Sequence, residues 1–158
     1  VLALRGRGPI GYLNDEEKSA KTFRVIDGER WAMPGDHATV ELDGTITLLG
    51  RGSQCINTGG EKVYPEEVEE ALKAHPTVHD AAVVGIPDDR FGQAVTALVA
   101  MADGCDLDEQ SLIAAVKRSI AAYKAPKRIF AVDDIGRAPN GKLDYARLKG
   151  AAIERAAR

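Results

Sequence analysis

Two apolar runs constrain this chain more than any other feature. Ala81–Ile86 and Ala94–Met101 are each of strand length, and a turn-like stretch, Pro87-Asp88-Asp89-Arg90-Phe91-Gly92, lies between them. Short apolar runs punctuated in this way read as strands. Around them the pattern changes period. Cys55-Ile56-Asn57 and Lys62-Val63-Tyr64 flank Thr58-Gly59-Gly60-Glu61 and predict a short hairpin with a glycine turn. Pro65 opens a helix, with Glu66 and Glu67 in the first turn, where acidic groups complement the helix dipole. Val68, Ala71 and Leu72 give that helix an apolar stripe, and Pro76 ends it. Asp106 and Glu109 resemble a capping box at the start of a second helix, with Leu112, Val116, Ile120 and Tyr123 on one face. Lys127–Val132 reads as a short strand, Arg137–Lys142 as a loop centred on Pro139-Asn140-Gly141, and Tyr145–Arg158 as a closing helix. The order hairpin, helix, strand, strand, helix, strand, loop, helix predicts an α+β fold, with helices packed on a small sheet.

The first third reads differently. Residues 1–36 are rich in glycine and charge and hard to read as a core, and Val1–Leu4 resembles a strand whose partners lie elsewhere. His37–Leu42 and Thr45–Leu49 alternate on either side of Asp43-Gly44, which predicts a hairpin closed by a type I′ turn. Gly50-Arg51-Gly52-Ser53 then breaks the pattern and suits a linker or hinge. The expected division is therefore β-rich material over 1–50, a hinge over 51–53 and an α+β domain over 54–158.

Composition narrows the function classes. The 158 residues carry a formal net charge of -3, which gives no electrostatic footprint for nucleic acid. No apolar run is long enough to span a bilayer. The given residues carry no signal-peptide pattern, and because the chain begins at Val1 instead of Met its natural N-terminus is expected to lie outside the sequence. Cys55 and Cys105 lack metal-type spacing, and no metal site is expected. Two free thiols in a reduced, cytoplasmic setting is the plain reading.

Single residues say little in isolation. Lys142 follows the Pro-Asn-Gly turn and reads either as a solvated surface lysine or as a cation that a mobile loop can carry to a phosphate or carboxylate. Gly59 and Gly60 read as an ordinary turn or as a place where a ligand approaches the backbone. Asp36, after Pro34-Gly35, reads as a turn aspartate or as an acceptor for sugar hydroxyls. Arg51 reads as a surface ion-pair partner or as a phosphate or ribose ligand.

Order and spacing together carry more. Asp36, Gly50-Arg51, the stretch Gly59-Gly60-Glu61-Lys62-Val63-Tyr64-Pro65-Glu66-Glu67-Val68-Glu69 and the loop Pro139-Asn140-Gly141-Lys142 resemble the later signature motifs of the adenylate-forming superfamily. The wording Gly-Gly-Glu-Lys-Val-Tyr-Pro is similar to the branch of fatty-acid-type acyl-CoA synthetases. The resemblance implies that 1–50 is the last β subdomain of a large N-terminal adenylation domain, that 51–53 is the hinge with Ser53 at its pivot, and that 54–158 is the C-terminal lid. It implies an ATP-dependent ligase that activates a carboxylic acid as acyl-AMP and passes it to CoA, with ATP and Mg2+ held mainly by the N-terminal portion. This chain by itself would then be inactive. Lys142 would be the catalytic cation, Asp36 and Arg51 would bind the nucleotide, and Gly59 and Gly60 would let pantetheine pass. Phe91, Tyr123, Lys124 and Lys127 match positions near the nucleotide end of CoA, and Lys142 matches a site for a regulatory lysine acetyltransferase. A carrier protein as acyl acceptor, or a non-catalytic interaction module, are the alternatives. Three positions depart from the family pattern: Ser53 where Asp or Lys is usual, Pro34 where Thr is usual, and Ala125 where Arg can stand.

Overall fold

The computed structural model of the protein describes residues 1–157. These fall into two compact units, Val1–Ser53 and a second that begins at Gln54.

In the first unit, strands Leu4–Arg5 (β1), Phe23–Ile26 (β2) and Glu29–Ala32 (β3) form an antiparallel sheet of order β1-β3-β2, and helix Glu16–Thr22 (α1) leads into β2. Asp15 caps α1, its carboxylate accepting from the Lys18 N–H at 2.9 Å. Strands Asp36–Val40 (β4) and Ile46–Arg51 (β5) make the hairpin expected around Asp43-Gly44, but not with the expected turn. Gly44 has a φ of 86°, while Asp43 keeps an ordinary negative φ, so the connection over 41–45 is not type I′. The Asp43 carboxylate instead accepts from the Thr45 N–H at 2.9 Å and hydroxyl at 2.7 Å, which stabilises a wider turn. The type I′ turn of this unit is at the other Asp-Gly. Asp27 and Gly28, with φ of 53° and 78°, join β2 directly to β3. Thr22 is the only buried residue among those described in this unit, and Val25, Val40, Leu42 and Leu48 are exposed.

The second unit holds a five-stranded sheet. Its strands are Ile56–Thr58 (β6), Glu61–Val63 (β7), Val78–Asp88 (β8), Gly92–Met101 (β9) and Arg128–Val132 (β10). β9 is central: β8 pairs antiparallel on one side and β10 parallel on the other, and β6 joins at the start of β9 through Thr58 and Gly92. β7 completes the short hairpin with β6 across Gly59-Gly60, whose φ values of 60° and 87° are those of a type I′ turn. Helices Pro65–Lys73 (α2) and Glu109–Ser119 (α3) cover one face, and Tyr145–Ala156 (α4) covers the other. Arg158, at the end of the expected closing helix, lies outside the described residues.

Burial on both faces explains why the two central strands are continuously apolar. Ala81, Val83, Val95, Ala97 and Val99 pack with Val68, Leu72, Leu112 and Val116 on the α2/α3 side. The alternate residues Ala82, Val84, Leu98 and Ala100 pack with Leu148 and Ala152 on the α4 side. The α+β class expected from the sequence is the class found. Two local expectations are corrected. The cap of α3 is Asp108, which accepts from the Ser111 N–H at 3.0 Å, and not Asp106. Glu109 is thereby displaced from the capping position, and its carboxylate accepts from the Ile129 N–H at 2.7 Å, tying α3 to β10. Tyr123 is not on the helix face, because Ile120 turns extended at the C-cap and Tyr123 falls in a 3-10 turn, Ala122–Lys124, where it is exposed.

Candidate functional site

The expected site residues fall in three places. Asp36 and Arg51 pair across the end of the β4–β5 hairpin, with Arg51 Nε 3.4 Å from Asp36 Oδ1. Asp36 thus has a cation that orients it, and the remaining acceptor positions of a carboxylate are available for hydroxyl donors. Gly52 approaches His37 so closely that a Cβ there would lie 2.7 Å from the imidazole Nε2, and Ser53 follows in the 3-10 turn Gly52–Gln54.

The second place is the Gly59-Gly60 turn. The Gly59 N–H donates to the Phe91 carbonyl at 2.9 Å, and a Cβ on Gly59 would lie 3.2 Å from Phe91 Cδ1. The turn and the β8–β9 connection therefore form one compact end of the sheet. Lys127 brings its ammonium 4.9 Å from the centroid of the Phe91 ring, and Arg90 its guanidinium 5.0 Å, so two cations flank one aromatic. The Lys127 N–H is fixed by the Val95 carbonyl at 2.8 Å. Lys124 behaves differently. Its ammonium donates to both oxygens of Glu67 at 2.6 and 2.7 Å, in a largely buried pair that joins the 3-10 turn to α2. In this structure that ammonium is paired with a carboxylate. Tyr123 stands beside it, with Lys124 Nζ 5.9 Å from its ring centroid.

The third place is the loop that carries Lys142. It leaves β10, turns at Asn140-Gly141 with a φ of 76° at Gly141, and enters α4 at the Asp144 cap. Lys142 is exposed and lines an open cavity of about 580 Å3 together with Gln54, Ala138, Leu143 and Tyr145.

Sequence reasoning missed the polar network behind this loop. β8 is an edge strand, and residues of its free side are satisfied by side chains. The Val83 N–H donates to Glu69 Oε1 at 2.9 Å, the Ala81 N–H to Asp80 Oδ1 at 2.8 Å, and the Ala81 carbonyl accepts from Arg137 Nη2 at 3.2 Å. Arg137 grips Asp80 with Nε and Nη2 at 2.7 and 2.9 Å. Burial acts to raise the Asp80 pKa, but the Arg137 and Ala81 hydrogen bonds outweigh it and the net shift is downward. The Asp80 hydrogen bond in turn raises Arg137. Glu69 is 4% exposed, and burial pushes its carboxyl up to about 7. One signal was readable: Glu69 lies four residues after Pro65 and three before Leu72, on the apolar stripe of α2.

Register separates the second and third places. Arg137 holds the Asp80 end of β8, whereas Gly59 and Phe91 lie where Asp88 meets Gly92. Eight residues of extended strand place the two ends about 26 Å apart.

Comparison with known proteins agrees with the motif order. Residues 67–142 match the AMP-binding enzyme C-terminal domain. Over that stretch the chain is similar to the C-terminal domain of AMP-binding enzymes. It is 56% identical over 145 residues to a medium/long-chain-fatty-acid–CoA/3-oxocholest-4-en-26-oate–CoA ligase of Mycobacterium tuberculosis, covering 92% of this chain and 26% of that protein. A 3-oxocholest-4-en-26-oate–CoA ligase of Rhodococcus rhodochrous is 54% identical, again over 92% of this chain and 26% of its own length. Among solved structures, o-succinylbenzoate CoA synthetase of Bacillus subtilis, in complex with its acyl-adenylate intermediate, superposes with a TM-score of 0.77 at 32% identity, over 88% of this chain and 28% of that one. The chain thus spans about a quarter of the length of the relatives it matches. Among the described residues no helix is long and apolar enough to cross a membrane, and no group of three His, Cys, Asp or Glu is placed to hold a metal.

Proposed function

We propose that this chain is the mobile C-terminal part of an acyl-CoA synthetase, and that it presents two different loops to one reaction centre in turn. The separation of Lys142 from Gly59-Gly60 along the β8–β9 hairpin carries this reading. Two loops held at opposite ends of a strand about 26 Å long cannot serve one reacting carbon together, so the domain turns between steps.

In the first step a carboxylate oxygen of the acid attacks the α-phosphorus of ATP. The bond from that phosphorus to the bridging oxygen breaks, and pyrophosphate leaves with its electron pair. Negative charge gathers between acid and phosphate, and the Lys142 ammonium is the cation that meets it. Asp36, oriented by Arg51, accepts from the ribose hydroxyls. In the second step the sulfur of CoA attacks the acyl carbon, the carbon–oxygen bond to phosphate breaks, AMP leaves and the thiol proton passes to solvent. Gly59 and Gly60 have no side chains to obstruct the pantetheine arm, and Lys127, beside Phe91, takes the phosphate role that Lys124 does not. Lys142 is also the amine whose acetylation would delete the charge needed in the first step.

The identity of the relatives favours CoA as acceptor, and medium- or long-chain fatty acids or sterol side-chain acids as substrates. In the whole enzyme, Lys142→Ala should lower acyl-adenylate formation by about 10²–10³-fold while sparing thioester formation from supplied acyl-adenylate. Equal loss of both half-reactions would overturn the reading. A panel of acids, scored by thioester formation, identifies the substrate.

A further inference from the structure

The loop that bears Lys142 is closed mainly upon itself. The Ala138 N–H donates to the Lys142 carbonyl at 2.9 Å, the Gly141 N–H to the Ala138 carbonyl at 2.8 Å, and the Lys142 N–H to Asn140 Oδ1 at 3.1 Å. Such bonds set the shape of a turn but not its place on the domain. Arg147, donating through Nη2 to the Ile135 carbonyl, fixes only the start of the segment. At the turn itself the outward tie is Arg137. Its Nη1 donates to the Gly141 carbonyl at 3.3 Å, and that carbonyl belongs to the peptide unit that leads into Lys142. The other two nitrogens of the same guanidinium hold Asp80, and Nη2 also reaches the Ala81 carbonyl, on the edge of β8.

We propose that Arg137, held by Asp80, is a positioning residue for Lys142, clamping the Lys142 turn to the rigid edge of β8 so that the ammonium arrives at the adenylation centre in one register. The proposal rests on the role of Lys142 given above. Only a planar, forked cation can grip a carboxylate with two nitrogens and still offer a third to a carbonyl, so lysine is no substitute. The pair stays charged throughout the neutral range, since Asp80 titrates below its ordinary value and Arg137 above. A catalytic group displaced by a fraction of an ångström to an ångström loses rate steeply, and a clamp of this kind is worth about 10–100-fold in the step it serves.

The test uses the whole enzyme with Arg137→Ala, Arg137→Lys, Asp80→Asn, Lys142→Ala and the Arg137→Ala/Lys142→Ala double variant. Adenylation and thioester formation from supplied acyl-adenylate are measured separately. Arg137→Ala should slow adenylation about 10–100-fold and leave thioester formation within about twofold. Arg137→Lys should restore little. In the Lys142→Ala background, loss of Arg137 should have no further effect on adenylation, because there is no ammonium left to position. Should Arg137→Ala not fold, Asp80→Asn carries the test with the same half-reaction selectivity and a smaller loss. Equal slowing of both half-reactions, unchanged adenylation, or losses that multiply in the double variant would each overturn the clamp. Selective loss in Lys142→Ala without it in Arg137→Ala would sink the clamp alone, whereas adenylation spared in Lys142→Ala would remove the Lys142 reading and the clamp together.

Discussion

Glu69 on α2 and Tyr145 on α4 meet behind the edge of β8, the phenol hydroxyl donating to Glu69 Oε1 at 3.2 Å while the same oxygen accepts from the Val83 N–H at 2.9 Å. Two helices on opposite faces of the sheet are thereby joined through one carboxyl group. Its burial raises the pKa to about 7, against the two hydrogen bonds, which favour the charged form. Burial and the neighbouring carboxyl likewise raise the Tyr145 phenol.

The sign of the resulting pH dependence is the reverse of the usual carboxylate case. Between the ordinary glutamate value and about 7, the folded state holds a proton that the unfolded state has released. Stability therefore falls as pH rises through that window and levels off above it. Glu69→Gln keeps the acceptor for Val83 and removes the titration. Urea denaturation at about pH 5 and about pH 8 should show the wild-type loss shrinking by up to about 3 kcal/mol in the variant. Equal pH slopes would mean that Glu69 is ionised in the fold across the whole range.

Gly59 and Gly60 both need positive φ, but their surroundings differ. A Cβ on Gly60 meets nothing within 4 Å, whereas one on Gly59 lies 3.2 Å from Phe91. Gly60→Ala should cost about 1 kcal/mol from backbone strain, and Gly59→Ala about 1–2 kcal/mol more, because the aromatic must also move. Thermal unfolding of the two variants should rank them in that order. In the whole enzyme, Gly59→Ala should slow thioester formation more than adenylation.

How much of this was legible in the sequence depended on the range of the interactions. The β8–β9 hairpin, the Gly59-Gly60 turn and α2 are written in adjacent residues: apolar runs, paired glycines, a proline at the helix start. Turn chemistry was legible only as a residue type. Asp27-Gly28 and Asp43-Gly44 are the same dipeptide, and strand spacing decides which becomes type I′: the first joins its strands directly, while the second lies in a wider connection. The Arg137–Asp80 and Lys124–Glu67 pairs each join residues 57 apart, and no local pattern announces such a contact. The motif order placed Lys142 on its loop, yet it was silent on what holds that loop still.

Leu72 lies wholly buried at the junction of α2 with the sheet, in the cluster that contains Val68, Val83 and Val116. Leu72→Ala should destabilise the second unit by about 2–5 kcal/mol, since a packed core collapses only partly around a lost isobutyl group. Urea denaturation gives the value. A cost under about 1 kcal/mol would mean that the site is loosely packed.

Lys124 and Lys127 are three residues apart and should behave as opposites. Lys124 is bonded to both oxygens of Glu67 in a pair whose side chains are 18% and 23% exposed, so truncating it leaves a half-buried carboxylate without its cation. Lys127 rests over Phe91 and is exposed, so truncating it removes little that the fold needs. Lys124→Ala should therefore cost about 1–3 kcal/mol of stability, a discounted value for a pair that water still reaches. Once the fold is secured, its KM for CoA should be near that of the wild type. Lys127→Ala should leave the unfolding midpoint unchanged and raise the KM for CoA about tenfold, the loss of one charge-assisted contact. The decisive measurement pairs thermal unfolding with the CoA dependence of thioester formation for both variants. A crossed pattern, with Lys127 governing stability and Lys124 governing the KM, would show that the ammonium bound to Glu67 is released when CoA arrives.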